Sequence, residues 1–403
     1  MVAKYRLVLS QPGCARLFAT ALVGRLPQGM SSLAILLLVR GTTHSYAAAG
    51  VAVGAYALAS AASAPLQGRL VDRFGRGRVL PPCSILQAVA LVGLVVAAQG
   101  HAPAAVQVIL AALAGAFLPP IAPAVRALLR EVLHDPDVRE TAYSLESVVQ
   151  ELIWIAGPLL VAIVIATVSP AGAVLLLGVI CVVGTLLFVR TPLAGGHGQR
   201  AAGEQRTAVL SIPELRALLA PIALMGVGLG AVEVGLPSLA LHAGSRPASG
   251  LLLALWSLGS LIGGLWYGSR TWRAALATRY RGLLLLAVLC TAPLIAARTI
   301  PEALVCSLLA GITIAPVFSC QYALIGRAVT PGVETEAFTW VAAALVGGLA
   351  AGSALGGASI SAVGFSAPFA LSCAASAIAG LLAVRSRDRF EVAVSQPVQS
   401  SAS

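Results

Sequence analysis

Charged residues are scarce in this chain. Only 10% of its 403 residues are Asp, Glu, Lys or Arg, whereas 58% are hydrophobic, and the mean hydropathy is +0.92. A soluble protein of this length needs far more charge to cover its surface, so the composition excludes that class. Apolar runs of about twenty residues recur along the whole sequence, as the ~30 Å hydrocarbon core of a bilayer demands. In lipid such runs must be helical, because their backbone groups have to pair within the segment.

The sequence also lacks several motifs and residue clusters, and each absence excludes a class of protein. Lys4 is the single lysine beside 25 arginines, so no G-x-x-x-x-G-K-[ST] loop exists and an ATP-driven pump is excluded. The five histidines all fall in predicted loops and form no cluster for a metal or a general base. The seven cysteines occur singly, without the spacing of a disulfide framework or a metal site. The sequence therefore predicts no enzyme, no metal and no cofactor.

Twelve membrane spans fit the hydropathy pattern. They cover residues 17–39, 46–67, 79–99, 104–128, 142–167, 171–189, 217–241, 249–268, 282–297, 302–325, 337–361 and 364–384. The first run is too long for the core of a signal peptide and is predicted to be a retained span. Span 9 is short, and an interfacial helix is expected just before it, at 270–281. The fold class predicted is all-α integral membrane.

Basic residues define the orientation of these spans. With a cytoplasmic N-terminus, 22 of the 26 Lys and Arg residues fall on the cytoplasmic side, and three, Arg40, Arg246 and Arg298, fall outside. Both termini are thus predicted to be cytoplasmic. The net charge of +11 does not indicate nucleic-acid binding, because the arginines lie between apolar runs and not along one soluble face. The excess of Arg, Ala and Gly is typical of a GC-rich bacterial genome, so a bacterial plasma membrane is expected.

The chain divides at a hydrophilic segment, 190–212. Six spans precede it (1–189) and six follow it (213–384), with a disordered cytoplasmic tail predicted at 385–403. Weak internal similarity supports two related halves. For example, Leu113-Ala114-Gly115 followed by Pro119 and Pro120 matches Leu309-Ala310-Gly311 followed by Pro316.

The loop between spans 2 and 3 holds the most specific motif. It follows the pattern G-x-L-x-D-R-x-G-R-[KR]-[KR]-x-x-[LI] at Gly68, Leu70, Asp72, Arg73, Gly75, Arg76, Arg78 and Leu80, with Gly77 in place of one basic residue. The pattern and its place between two spans resemble the major facilitator superfamily of membrane transporters. That resemblance implies two pseudo-symmetric six-helix bundles, alternating access, a small-molecule substrate and function as a monomer in the lipid bilayer.

The resemblance also implies a latch at this loop. In the family, the loop aspartate meets the N-terminal end of a helix in the other half and holds the cytoplasmic side closed. That role falls here on Asp72, and the helix is expected to begin near 334–337. A carboxylate at a helix N-terminus is favoured by ~0.3–1 kcal/mol when exposed. The other residues of the expected latch are Gly68, Arg73, Gly75, Arg76, Arg126 and Arg130.

The arginines of this region admit two interpretations. Arg126 and Arg130 end span 4, where they could form ion pairs with Asp72. Arg76 and Arg78 could instead serve only to fix the topology and to touch lipid headgroups.

Four charges lie inside spans, where each costs ~2.5–3.5 kcal/mol on insertion scales and is therefore a functional candidate. They are Arg25 in span 1, Glu146 and Glu151 in span 5, and Glu233 in span 7. Glu146 and Glu151 lie five residues apart, or ~140° around a helix, so they cannot share a face. We expect Glu151 to face Arg25 or the cavity, and Glu146 to pair nearer the cytoplasm with Arg130 or Arg139.

Proton coupling is expected at the carboxylates. Glu233 has no evident basic neighbour, so it could bind and release a proton. The alternative for all four charges is a static buried pair that keeps helices in register. Gln28, Gln321 and Tyr322, together with several aromatic residues, are expected to line the substrate path.

Span 5 also bears on direction. Ala156-Gly157-Pro158 resembles the end of the family's antiporter motif, although Ile153 and Ala162 replace glycines of the pattern. A helix kink at Gly157 and Pro158 is the structural alternative. The sequence favours proton-coupled efflux of small organic molecules. The alternatives are an importer or facilitator of a polar nutrient such as a sugar or organic anion, with Arg25 binding an anion, and a membrane protein without a transport role.

Overall fold

The computed structural model describes residues 2–193, 209–244, 248–329 and 332–385. All regular structure in these ranges is helical, and twelve spans are long and apolar enough to cross a membrane. The predicted all-α fold with twelve spans is confirmed. The spans are Cys14–Thr43, Ala48–Phe74, Arg76–Gln99, Ala104–Val132, Pro136–Thr167, Pro170–Val189, Pro213–His242, Ala248–Gly268, Leu276–Ala296, Ile300–Ala328, Glu334–Ile360 and Ala367–Arg385.

Several spans are longer than the apolar runs that predicted them. The loop expected over 68–78 shrinks to Gly75, because span 2 continues to Phe74 and span 3 begins at Arg76. Gly75 has φ 86° and ψ 151°, a backbone conformation that glycine adopts without a steric penalty. Hydropathy ends a span at its first charges, whereas helical hydrogen bonding continues past them into the aqueous layer.

Two helical features near the ends of spans differ from expectation. A separate N-terminal helix, Val2–Ser10, precedes span 1. The interfacial helix predicted at 270–281 is wrong, because span 9 already begins at Leu276 and the chain before it is a loop. Trp272 folds this loop back on span 8: its indole Nε1 donates to the Tyr267 carbonyl at 3.0 Å, and its ring stacks on Tyr267 with 5.0 Å between centroids.

Spans 4 and 10 are both interrupted at the positions of the internal sequence similarity. Span 4 consists of helices Ala104–Ala116 and Ile121–Val132, and span 10 consists of Ile300–Gly311 and Ile314–Ala328. In span 4 the break contains Pro119 and Pro120, which have no backbone N–H to continue the helical ladder.

Helix pairing within the chain repeats with a shift of six spans. In the first half span 1 packs on spans 5 and 6, span 2 on span 4, and span 3 on span 6. In the second half span 7 packs on spans 11 and 12, span 8 on span 10, and span 9 on span 12. The molecule is therefore two pseudo-symmetric six-helix bundles.

The two bundles meet through pairs of spans that are related by the same shift of six spans. Span 2 packs on span 11, and span 5 packs on span 8, with further contacts of span 5 with span 10 and span 4 with span 11. We call the end of the molecule at which spans 2 and 3 join at Gly75 the basic end. The predicted central segment at 190–212 lies largely outside the described residues, as does the predicted tail after residue 385.

Candidate transport site and latch

A buried ion pair lies between spans 1 and 5. Arg25 Nη1 lies 2.7 Å from Glu146 Oε2, and the two side chains are 2% and 0% exposed. Arg25 Nη2 also donates to Gln150 Oε1, one helical turn further along span 5. Arg126 of span 4 approaches from the other side, with its Nε 3.2 Å from Glu146 Oε1. Two arginines thus share one glutamate, so the cluster carries one excess positive charge.

An aromatic cluster adjoins the second arginine. The Arg126 guanidinium carbon lies 3.9 Å from the centroid of the Tyr322 ring, a cation–π geometry. Tyr322 in turn stacks on Phe318 and contacts Tyr143 and Phe338 edge-on. Tyr322 was predicted on the substrate path, and it reaches the charge cluster from the second bundle. Both bundles therefore contribute to the centre of the molecule.

The expected partners of Glu146 were wrong, and of the two settings expected for Glu151 the one beside Arg25 is excluded. Arg25 pairs with Glu146 and not with Glu151, and Glu146 pairs with neither Arg130 nor Arg139. Span 1 covers the face of span 5 that carries Glu146, whereas span 8 covers the face that carries Glu151, ~140° away. Depth in the membrane alone could not separate these possibilities.

Glu151 bonds across the two bundles. Ser260 Oγ of span 8 donates to Glu151 Oε1 at 2.8 Å, and Glu151 is 8% exposed. Within the described ranges no cation pairs with this carboxylate. Glu233 lies ~30 Å of helix from the start of span 7. It is exposed and forms no hydrogen bond or ion pair with any described residue.

The two predicted glutamines occupy different settings. Gln28 of span 1 is half-buried, three residues after Arg25. Gln321 is fully buried, and its amide Nε2 lies 3.2 Å from both Met225 Sδ and Tyr280 Oη. It therefore packs inside the second bundle, and it faces ~100° away from Tyr322 on the same helix.

Gly157 and Pro158 lie inside a continuous helix. Span 5 runs unbroken through both residues. A Cβ added at Gly157 would lie 2.7 Å from Gly29 Cα of span 1, so the glycine allows spans 1 and 5 to touch through their backbones.

Asp72 bonds to the first turn of span 11. Its Oδ1 accepts from the Thr335 backbone N–H at 3.1 Å and its Oδ2 from that of Glu336 at 2.8 Å. These are N–H groups that a helix start leaves without partners, and the helix dipole favours the carboxylate there. Gly68 makes the approach possible, because a Cβ on it would lie 2.9 Å from Glu336 Cα.

The arginines around Asp72 bind other groups than the sequence suggested. Arg130 pairs with Glu334 at 2.6 Å and also donates to the carbonyls of Gly326 and Val329. Arg126 belongs to the central cluster, where it pairs with Glu146. The first turn of span 11 already offers Glu334 and Glu336, which compete for cations.

Of three arginines in the loop motif, two contact their own bundle and one contacts the other bundle. Arg76 pairs with Glu131 at the end of span 4, within its own bundle, and Arg73 lies over the Phe74 ring at 4.9 Å. Arg69 bridges to Glu336 at 2.7 Å and was not predicted. Its position one helical turn before Arg73, on the face of Asp72, was the available signal.

A helical fold of two related six-span bundles, joined by polar contacts at one end and with charges buried between the spans, defines a membrane transporter. The family model of the Major Facilitator Superfamily matches residues 17–291, and the chain belongs to this family. No curated protein matches the sequence.

Solved structures of distant sequence share the fold. The human organic anion transporter MFSD10 (TETRAN) is 16% identical with a TM-score of 0.75, over 93% of this chain and 100% of that one. A bacterial homologue of the iron transporter ferroportin, in an outward-facing state, is 14% identical with a TM-score of 0.74, over 93% and 99%. The transporter FucP in its outward conformation is 14% identical with a TM-score of 0.72, over 94% and 99%.

Proposed function

We propose that this protein is a proton-coupled secondary transporter that exports small organic molecules by alternating access between its two bundles. The observation that carries the proposal is the Glu151–Ser260 hydrogen bond. It joins a buried carboxylate of one bundle to a hydroxyl of the other. The protein works as a monomer in a bacterial plasma membrane, with both termini and the basic end on the cytoplasmic side.

The charge balance at Glu151 supports proton coupling. A buried charge without a counter-charge is costly, and Ser260 supplies only a neutral donor. A bound proton neutralises the carboxyl and lets it remain between the closed bundles. When spans 5 and 8 separate, the same carboxyl meets water and can release the proton. Glu233, exposed and without a cation, supplies a second carboxyl near the far end of span 7.

The state of the bundles and a motif in span 5 support the direction of transport. With the basic end in the cytoplasm, the closed contacts of spans 2 and 11 and of spans 5 and 8 correspond to an outward-facing state. The partial antiporter motif at Gly157 and Pro158 favours export, and the close packing of Gly157 on Gly29 is consistent with a role for both in span movement.

The test is a susceptibility screen in a bacterial host that lacks its major efflux pumps. Expression of the wild-type protein is expected to raise resistance to some members of a chemical library. Dissipation of the proton gradient, or Glu151→Gln, should abolish efflux of those compounds, whereas the exposed capping residue change Glu302→Gln should not. Efflux that persists at the wild-type rate after both treatments would exclude proton coupling.

A second candidate function is the transport of organic anions into the cell. The observation in its favour is the excess positive charge where Arg25 and Arg126 share Glu146. An organic anion that binds there would balance this charge. Uptake of labelled organic acids into proteoliposomes, saturable in the wild type and lost in Arg126→Gln, would favour this function over efflux.

A further inference from the structure

A polar cavity lies at the basic end, apart from the central charge cluster. Its volume is about 200 Å³. Its walls come from the N-terminal helix, the start of span 5, the loop between spans 8 and 9, and the end of span 10. Both bundles therefore contribute to it.

The walls carry more positive than negative charge. Four cations, Lys4, Arg270, Arg279 and Arg327, face two acids, Asp137 and Glu140. Glu140 is neutralised by Arg279, which pairs with both of its carboxylate oxygens. This leaves three cations against Asp137, and none of these four residues forms an ion pair with any part of the chain that the structure describes. The cavity thus has an excess of two positive charges.

The N-terminal helix is fixed as one wall of this cavity. Tyr5 is 8% exposed, and its hydroxyl donates to the Gly264 carbonyl at 3.0 Å and lies 3.3 Å from Ser144 Oγ. Lys4 Nζ donates to the Arg270 carbonyl at 2.8 Å. Burial raises the pKa of Tyr5, so its hydroxyl stays a donor at neutral pH. Lys4 is therefore held at the cavity by a neighbour that bonds both bundles.

We infer that this cavity binds a phosphate-bearing anion that bridges the two bundles. A phosphate group carries up to two negative charges, which match the excess of the cavity, and guanidinium groups bind phosphate through paired hydrogen bonds. Thr141 offers a hydroxyl from span 5, and Arg270 and Arg327 approach from the second bundle. This inference does not depend on which solute the protein transports.

Binding at this position has a conformational consequence. The N-terminal helix with Lys4 packs on spans 1 and 5, so Lys4 and Thr141 belong to the first bundle, whereas Arg270 and Arg327 belong to the second. An anion that contacts both sets binds only while the basic end is closed, so it shifts the population toward that state.

The phosphate has two possible sources, a soluble phosphate compound or the headgroup of an anionic phospholipid. If the source is a phospholipid, the cavity volume of about 200 Å³ accommodates its headgroup, and the acyl chains lie outside the cavity.

The experiment measures thermal unfolding of the full-length protein in two arms. In detergent, inorganic phosphate is titrated against chloride at constant ionic strength. In nanodiscs, phosphatidylcholine is compared with mixtures that contain phosphatidylglycerol. A ligand that binds the folded state alone stabilises it by RT ln(1 + [L]/Kd), so the midpoint rises with the logarithm of the ligand concentration once that concentration exceeds Kd. We expect stabilisation that follows this dependence in at least one arm, and the arm that responds identifies the source of the phosphate.

Variants locate the effect. Arg270→Gln/Arg327→Gln should raise the apparent dissociation constant for phosphate, or for the anionic lipid, at least about tenfold, since each change removes a charge-assisted contact. Arg78→Gln/Arg385→Gln makes the same change in charge at exposed positions and should leave it unchanged. Should the first pair not fold, Lys4→Gln tests the same cavity. No stabilisation in either arm, or an equal loss in the control pair, overturns the inference.

Discussion

Arg25 and Glu146 form a salt bridge of 2.7 Å in the interior of the first bundle, with both side chains shielded from solvent. Arg126 shares the same carboxylate and rests on the ring of Tyr322, which belongs to the second bundle. Glu146 therefore compensates two buried cations, and its charge matters more to the fold than that of Glu151.

The first prediction follows from this shared carboxylate. Glu146→Gln leaves Arg25 and Arg126 buried without a counter-charge, and breaking a buried pair in this way costs about 3–5 kcal/mol. We expect a large drop in the melting temperature of the purified protein. Glu302→Gln, at an exposed capping position, serves as the control and should change it little. Equal melting temperatures for Glu146→Gln and the control would contradict this account.

The sequence was a good guide to the architecture and a poor one to the charge pairs. The twelve spans follow from long apolar runs, because the bilayer demands that length. The partner of Asp72 followed from the family resemblance of the loop motif, which implies a contact with a helix start in the other half. The partner of Arg25 could not be predicted, because Glu146 and Glu151 lie within reach in depth. Only the packing of span 1 against one face of span 5 distinguishes them.

Long-range partners were missed for a related reason. Arg69, Glu140, Ser260 and Arg279 all bond across the two bundles. They lie at the ends or on the buried faces of different spans, more than a hundred residues from their partners. Hydropathy and local motifs carry no information on such distances.

The second prediction concerns Asp72. Asp72→Asn removes the negative charge at the start of span 11 and weakens its bonds to Thr335 and Glu336. The closed basic end should lose about 1 kcal/mol. Fluorophores on noncanonical amino acids at positions 78 and 281, one in each bundle, report the separation of the two sides. Asp135→Asn changes a cap within one bundle, where Asn serves as well as Asp, and should leave that separation unchanged.

The third prediction tests the same contact by the addition of a methyl group to span 2. A Cβ at Gly68 would lie 2.6 Å from Thr339 Oγ1, whereas one at Gly54 on the same helix would have no neighbour within 4 Å. Gly68→Ala should therefore separate spans 2 and 11 at the basic end. Gly54→Ala should leave the label separation as in the wild type, although both changes raise helix propensity alike. If the two variants behave identically, the close approach of span 2 to span 11 does not govern closure.

The fourth prediction concerns the N-terminal helix. Tyr5→Phe keeps the ring but removes the hydroxyl that donates to Gly264, at a cost of about 1 kcal/mol. We expect faster amide hydrogen exchange in residues 2–10 and a more open basic end in the label experiment. Thr20→Val, which removes a hydroxyl bonded within span 1, is the matched control. Unchanged exchange in Tyr5→Phe would show that the hydroxyl does not anchor this helix.

The fifth prediction separates closure from coupling at span 5. Glu151→Gln keeps an oxygen that can accept from Ser260 but cannot exchange a proton, so closure should persist while transport no longer responds to the proton gradient. Ser260→Ala keeps the carboxyl but removes its donor, which should weaken closure by about 1 kcal/mol, or about fivefold in population, while coupling persists. The label separation measures closure, and efflux with and without a proton gradient measures coupling. If both variants lose the same property, the Glu151–Ser260 contact does not link proton binding to the movement of the bundles.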